Sequence, residues 1–272
     1  MLLLCLVMLS APAQLDASVA RPSTAAQQQP APECISVRGA RVCGYHCLNS
    51  GSMGLCAQTP DGVCATGEAG QVTCFDPPLF LKRVYGAALP RPRCVSHALN
   101  MACGYNCATE SDGLACAKTP AGVCVAGWAS ATCFDPPVEV YGVYGTKVPE
   151  PACLKRNGQM VCGYNCTVGG ASSMGCNRTP FGVCAEKGGP VSCFDPDRYV
   201  VCAKGTATPK PECVYQSGGF TCGYHCANSL SQVTCAKTPD GSCNAEGVGA
   251  PVCFDPPVRG GDEQCVELIG LR

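Results

Sequence analysis

Cysteine recurs in this chain as a six-membered pattern written four times, and that pattern leaves few ways to fold. Units start at Cys34, Cys94, Cys153 and Cys213, at steps of 59 or 60 residues. The first holds Cys34, Cys43, Cys47, Cys56, Cys64 and Cys74; the second, Cys94, Cys103, Cys107, Cys116, Cys124 and Cys133. The third holds Cys153, Cys162, Cys166, Cys176, Cys184 and Cys193; the fourth, Cys213, Cys222, Cys226, Cys235, Cys243 and Cys253. Cys202 and Cys265 bracket the fourth unit, which would let them pair and pin it, or either join another chain. With Cys5 set aside, the remaining cysteines are even in number, which favours full pairing.

Composition agrees with a stapled scaffold. Of 272 residues, 27 are cysteine, 32 glycine and 23 proline, against 7 Phe, 9 Tyr and 1 Trp. That supply of large apolar side chains is too small for one packed core, so small cross-linked units are expected. Such cysteine usage belongs to an oxidising compartment, which places the chain in the periplasm, at the cell surface or outside the cell. Net charge is −1, with no cluster of lysine or arginine, so nucleic acid is not an expected partner.

The units are expected to span 34–78, 94–137, 153–197 and 213–257. Before them, 1–20 reads as a signal peptide: Met1 to Leu9 is almost wholly apolar, too short for a transmembrane span. Small residues allow cleavage after Ala13 or Ala20. Residues 21–33 form a flexible spacer rich in Ala, Gln and Pro, and 258–272 are a C-terminal tail.

Within each unit the spacing predicts short antiparallel hairpins and little helix, an all-β fold. Midway between the first two cysteines lie Arg38-Gly39, Ala98-Leu99, Asn157-Gly158 and Ser217-Gly218. Asn-Gly is a preferred two-residue hairpin turn; Ala98-Leu99 is a poor one. Such a turn sets the flanking cysteines opposite each other, about 4.5 Å apart at Cα, which permits a first-to-second disulfide among 15 connectivities. Between the fourth and fifth cysteines stands Thr-Pro-x-Gly, as in Thr59-Pro60-Asp61-Gly62, expected to form a tight hairpin tip with glycine in the left-handed region. A third hairpin has a glycine-rich tip and ends in Phe-Asp-Pro at Phe75, Phe134, Phe194 and Phe254. Gaps vary by a residue only between the third and fourth and between the fifth and sixth cysteines, which marks those as loops.

Each unit also carries one tyrosine in Cys-Gly-Tyr-x-Cys: Tyr45, Tyr105, Tyr164 and Tyr224. With the phenylalanine it is expected to form a small cluster beside the disulfides. Joints such as Phe75 to Arg93 end in Pro-x-Pro-x-Cys, which favours extended chain and semi-rigid beads. Val84-Tyr85-Gly86 and Val143-Tyr144-Gly145 are candidates for a short strand or for docking units together.

Chemistry finds little support. His46 and His225 stand inside Cys-x₃-Cys, a pattern that could hold zinc, but Asn106 and Asn165 take that place in the other copies. Disulfides are the expected use of the cysteines, with no metal and no cofactor. Three histidines, no hydrolase motif and no phosphate-cradling loop leave no enzyme chemistry to predict. The aspartates of Asp-Pro, Asp76, Asp135, Asp195 and Asp255, are explained by turn formation. Asn165-Cys166-Thr167 and Asn177-Arg178-Thr179 have the form of glycosylation sequons, on which no reading rests.

Two functional expectations follow. The first is an exported, non-enzymatic structural or binding array whose partner is an extracellular protein or glycan, with an aromatic row as one way to bind. The alternative is a multi-headed serine protease inhibitor. Its candidate residues are Gln58, Lys118, Arg178 and Lys237, third in the Cys-x₇-Cys loops; Cys116 to Cys124 (CAKTPAGVC) resembles the reactive loop of Bowman–Birk-type inhibitors over nine residues. Taken whole, the CGYxC, TPxGxC and CFDP signatures from Cys34 to Pro257 resemble cysteine-rich repeat proteins exported by Gram-negative bacteria. That resemblance implies export and repetition and brings no activity.

Overall fold

A computed structural model describes residues 30–97, 99–245 and 249–257. The expected signal peptide, most of the spacer, Ala98, Cys265 and the tail lie outside the described residues.

The fold is all-β and disulfide-rich. In the first unit, β1 (Glu33–Val37), β2 (Ala40–Ser50) and β3 (Met53–Ala57) form one antiparallel sheet. A separate two-stranded ribbon follows, β4 (Val63–Thr66) with β5 (Val72–Phe75). The other units repeat this plan.

The first hairpin forms where the turn residues place it. Asn157 and Gly158 sit at φ 50° and 78°, the doubly left-handed turn that matches strand twist. Arg38-Gly39 and Ser217-Gly218 do the same. Cys34 faces Cys43 in register, with Cα atoms 4.0 Å apart. The six cysteines of a unit pair first with second, third with fourth and fifth with sixth: Cys34–Cys43, Cys47–Cys56 and Cys64–Cys74, then likewise in the later units. Cys202 is also disulfide-bonded. Both variable gaps are hairpin tips, β2–β3 and β4–β5, where an extra residue lengthens a turn without shifting a register.

Between the third cysteine and the tyrosine the ladder slips. The register shifts between Tyr45 and Leu48, and His46 takes φ 47°. Asn106, Asn165 and His225 do so in their units. The preceding glycine fits here by close approach: a Cβ on Gly104 would lie 2.5 Å from the Ala117 carbonyl oxygen and 2.9 Å from Cys116 Cβ.

Three expectations need correction. The Thr-Pro-x-Gly segment is not a hairpin tip, because β3 and β4 belong to different sheets; it is the crossover between them. The joints are not simply extended. They contain helices α1 (Leu79–Tyr85), α2 (Val138–Tyr144) and α3 (Arg198–Lys204), each closed by a glycine near φ 55–59° (Gly86, Gly145, Gly205). Val84-Tyr85 and Val143-Tyr144 are thus helical ends, not strands.

Third, the phenylalanine does not pack on its own unit's tyrosine. Phe75 meets Tyr105 edge-on at 5.9 Å, Phe134 meets Tyr164 at 5.6 Å, and Phe194 meets Tyr224 at 5.7 Å. Each is the phenylalanine of one unit against the tyrosine of the next. The tyrosine hydroxyls donate to the Pro90, Pro149 and Pro209 carbonyls at 3.1 Å, fixing the Pro-x-Pro segment beneath them. The units are therefore docked in series, where semi-rigid beads on extended chain were expected.

Candidate functional site

The most repeated polar constellation is the crossover. In Cys-x-x-Thr-Pro-x-Gly-x-Cys the chain must turn from sheet to ribbon, which strands backbone amides that no ladder satisfies. The aspartate of Phe-Asp-Pro takes them. Asp135 accepts from Lys118 N at 3.0 Å, Thr119 N at 2.7 Å and Thr119 Oγ1 at 2.8 Å. Asp76 serves Gln58 and Thr59 in the same way, Asp195 serves Arg178 and Thr179, and Asp255 serves Lys237 and Thr238. For Asp255, burial raises the carboxyl's pKa, but the Lys237 and Thr238 bonds and the Lys237 charge outweigh it and leave the pKa below the ordinary value.

The turn glycines are not left-handed; none of Gly62, Gly122, Gly182 and Gly241 has positive φ. They are small so that the aspartate can reach: a Cβ on Gly122 would stand 2.5 Å from Asp135 Oδ1 and 2.6 Å from Ala117 Cβ. From the other side the bulge residue closes the turn. Asn106 Nδ2 donates to the Pro120 and Gly122 carbonyls at 2.9 and 2.7 Å, and Asn165 does likewise to Pro180 and Gly182. His46 and His225 place Nε2 3.1 and 2.9 Å from the Pro60 and Pro239 carbonyls. Their position inside Cys-x₃-Cys is thus a latch position, and among the described residues no group of His, Cys, Asp and Glu has metal-site geometry.

The joint helices cover the turns. Tyr141 of α2 is 1% exposed and accepts from Ala121 N at 3.3 Å. Burial pushes its hydroxyl up to about 12, against the lowering effect of bonds with Thr119 and Ala121. Phe181, the variable residue of the third turn, is buried and stacks on Tyr144 at 5.8 Å. Lys82 of α1 pairs with Asp61 at 2.8 Å and Lys204 of α3 with Asp240 at 3.0 Å. Glu139, also on α2 and buried, reaches Arg178 at 3.6 Å. Phe80 and Tyr85 of α1 pack on Tyr141 at 5.3 and 6.4 Å, which links successive joints.

Gln58, Lys118, Arg178 and Lys237 all have exposed side chains on these crossovers. Their loops are not closed by a bond between their own ends: Cys116 pairs with Cys107 and Cys124 with Cys133. The next residue is sequestered in the second and third crossovers, Thr119 at 3% and Thr179 at 2% exposure, and partly buried in the other two. The tyrosine row is equally spent on packing, with Tyr105, Tyr164 and Tyr224 at 4–5% exposure. Of the sequons, Asn177 is fully buried and the Asn165 amide is held by the turn. Exposed large apolar side chains remain at hairpin tips: Leu99, Trp128 and Leu230.

The sequence signal for the latch was present as the recurrence of Thr-Pro-x-Gly with Asp-Pro about 17 residues later. Spacing alone does not show that the two segments meet. No protein-family model, curated protein or solved structure matches this chain.

Proposed function

We propose that the chain is an exported, non-enzymatic array that acts at the cell surface or outside the cell as a structural or binding module. The observation that carries this reading is the use made of the repeated groups. Each aspartate, each bulge asparagine or histidine and each buried tyrosine is committed to holding a turn or seating the next unit. The disulfide pairs within every unit support an oxidising compartment. The exposed hairpin tips are where an extracellular protein or glycan would engage. Expression with the native leader in a Gram-negative host, followed by fractionation and thiol alkylation, tests the location. Protein in the periplasm or medium with unreactive cysteines is expected; cytosolic protein with free thiols would overturn the reading.

The inhibitor reading retains one favourable observation, a backbone pre-organised by the aspartate latch. Against it stand the sequestered threonine and the two amides already bonded to Asp135. Equimolar trypsin separates the two: full remaining protease activity is expected, and stoichiometric loss of activity would restore the inhibitor.

A further inference from the structure

Among the described residues the joint between units occurs three times, and its two halves also occur once each without a mate. Within the chain the ribbon of one unit seats on the first hairpin of the next. Phe75, Phe134 and Phe194 supply the upper half and are partly buried there. The lower half is the tyrosine, the second proline of Pro-x-Pro and the first disulfide. Pro92, Pro151 and Pro211 are buried by it, and Cys103, Cys162 and Cys222 are partly covered.

At the last ribbon the upper half is bare. Val252 and Phe254 share one face of strand Val252–Phe254 and are 74% and 66% exposed. At the first hairpin the lower half is bare: Pro32, Cys34 and Cys43 are exposed, and Tyr45 is only half-buried where its three counterparts are buried. Among the described residues nothing seats on either face. Yet Phe254, Pro32, Tyr45 and the Cys34–Cys43 disulfide are the same groups that mate inside the chain, with Val252 standing where the other units have Thr73, Thr132 and Ser192.

We propose that a second copy of this chain fills both: the Val252–Phe254 face of one molecule docks on the Pro32–Tyr45 face of another. The contact repeats between chains the joint that links units within one. It is heterologous, head to tail, so it propagates in place of closing in a symmetric pair. Inside the chain the joint is helped by an effective concentration that short linkers raise to about 1 mM. Association between chains is therefore sought up to that protein concentration.

The test is the solution mass of the intact oxidised chain across that range, by sedimentation or light scattering. Mass rising with concentration is expected. Phe254→Ser and Tyr45→Ala should each give monomers, with at least tenfold weaker association. Mixed in equal amounts they should form dimers and go no further, because each retains the end the other lost; this recovery also shows that both variants fold. A wild-type chain that stays monomeric to about 1 mM would overturn the proposal. So would association that survives both substitutions, or variants whose mixture fails to pair.

Discussion

At the scale of the residue, the aspartate latch decides whether the crossover holds. Asp135→Ala would strand the Thr119 amide and hydroxyl, which are otherwise buried and bonded. Leaving such groups unsatisfied costs about 1–3 kcal/mol, and a denaturant melt of the oxidised protein would read it as a lower midpoint. Gly122→Ala would push a methyl to 2.5 Å from the same carboxylate and should cost a similar amount, about 1–3 kcal/mol by overpacking. The latch is also acid-sensitive in the fourth unit. The Asp255 carboxyl sits below its ordinary pKa of 3.8, so it binds protons less readily folded than unfolded. Its contribution is therefore fully present above that value and is lost as pH falls through the folded pKa. Melting followed from pH 6 down to pH 2 should show Asp255→Asn losing part of the acid dependence of the native chain. An unchanged acid profile in the variant would show that the latch carries no linkage.

At the scale of the element, the joint is the unit of construction. Phe134→Ala and Tyr164→Ala each remove one face of an edge-on aromatic pair. Phe134 is only half-buried, so about 1–3 kcal/mol is expected. Tyr164→Phe should cost only the bond to Pro149, about 1 kcal/mol. Tyr45→Ala, with no phenylalanine before it, should change stability least of the four tyrosines when measured on dilute monomer. High pH probes the same joints. Burial raises the Tyr224 hydroxyl to about 12, and raises Tyr105 and Tyr164 as well. The unfolded chain then ionises first, so stability is whole below about pH 10 and declines between about pH 10 and 12. Phenolate absorbance rising together with loss of the near-ultraviolet aromatic signal would report it. These joints show what could be read in advance. The hairpins were legible because Asn157-Gly158 fixes its own turn and register from local sterics alone. The joint was not, for a numerical reason: Phe75 stands 30 residues from both Tyr45 and Tyr105, so spacing cannot say which it meets. Two of the helices were announced by Pro-Pro before, as at Pro136-Pro137, and all three by Gly after, as at Gly145, but the Pro-x-Pro that follows is the louder signal for extended chain. The latch was half legible, since Thr-Pro-x-Gly is visibly a turn while its partner aspartate lies a whole ribbon away.

At the scale of the whole molecule, covalent and non-covalent bonds divide the labour. The disulfides with both cysteines in the repeated pattern join neighbouring strands of one unit, and none of these crosses a joint. Apart from the bond of Cys202 in α3, seating one unit on the next is left to aromatic pairs, tyrosine hydroxyls, the helix row and polar contacts such as Lys155 with Glu110 and Gln71 with the Leu99 carbonyl. A loop closed nine or ten residues apart is worth about 2.5–3 kcal/mol by chain entropy, and three in a unit amount to about 8 kcal/mol. That is comparable to the entire stability of an ordinary small domain, about 5–15 kcal/mol. The apolar side cannot replace it, since the buried hydrophobic residues of the first unit are Val37, Cys56, Ala57 and Val72. Two regimes follow. Mild denaturant on the oxidised chain should free the joints first, exposing Tyr105, Tyr164 and Tyr224 to solvent while the strands persist. Reductant should then abolish the strand signal altogether, without further denaturant. If the reduced chain kept its far-ultraviolet strand spectrum, the cysteines would be ornament on a self-sufficient core. If tyrosine exposure and strand loss coincided in the oxidised chain, the joints would be no weaker than the stapled units they connect.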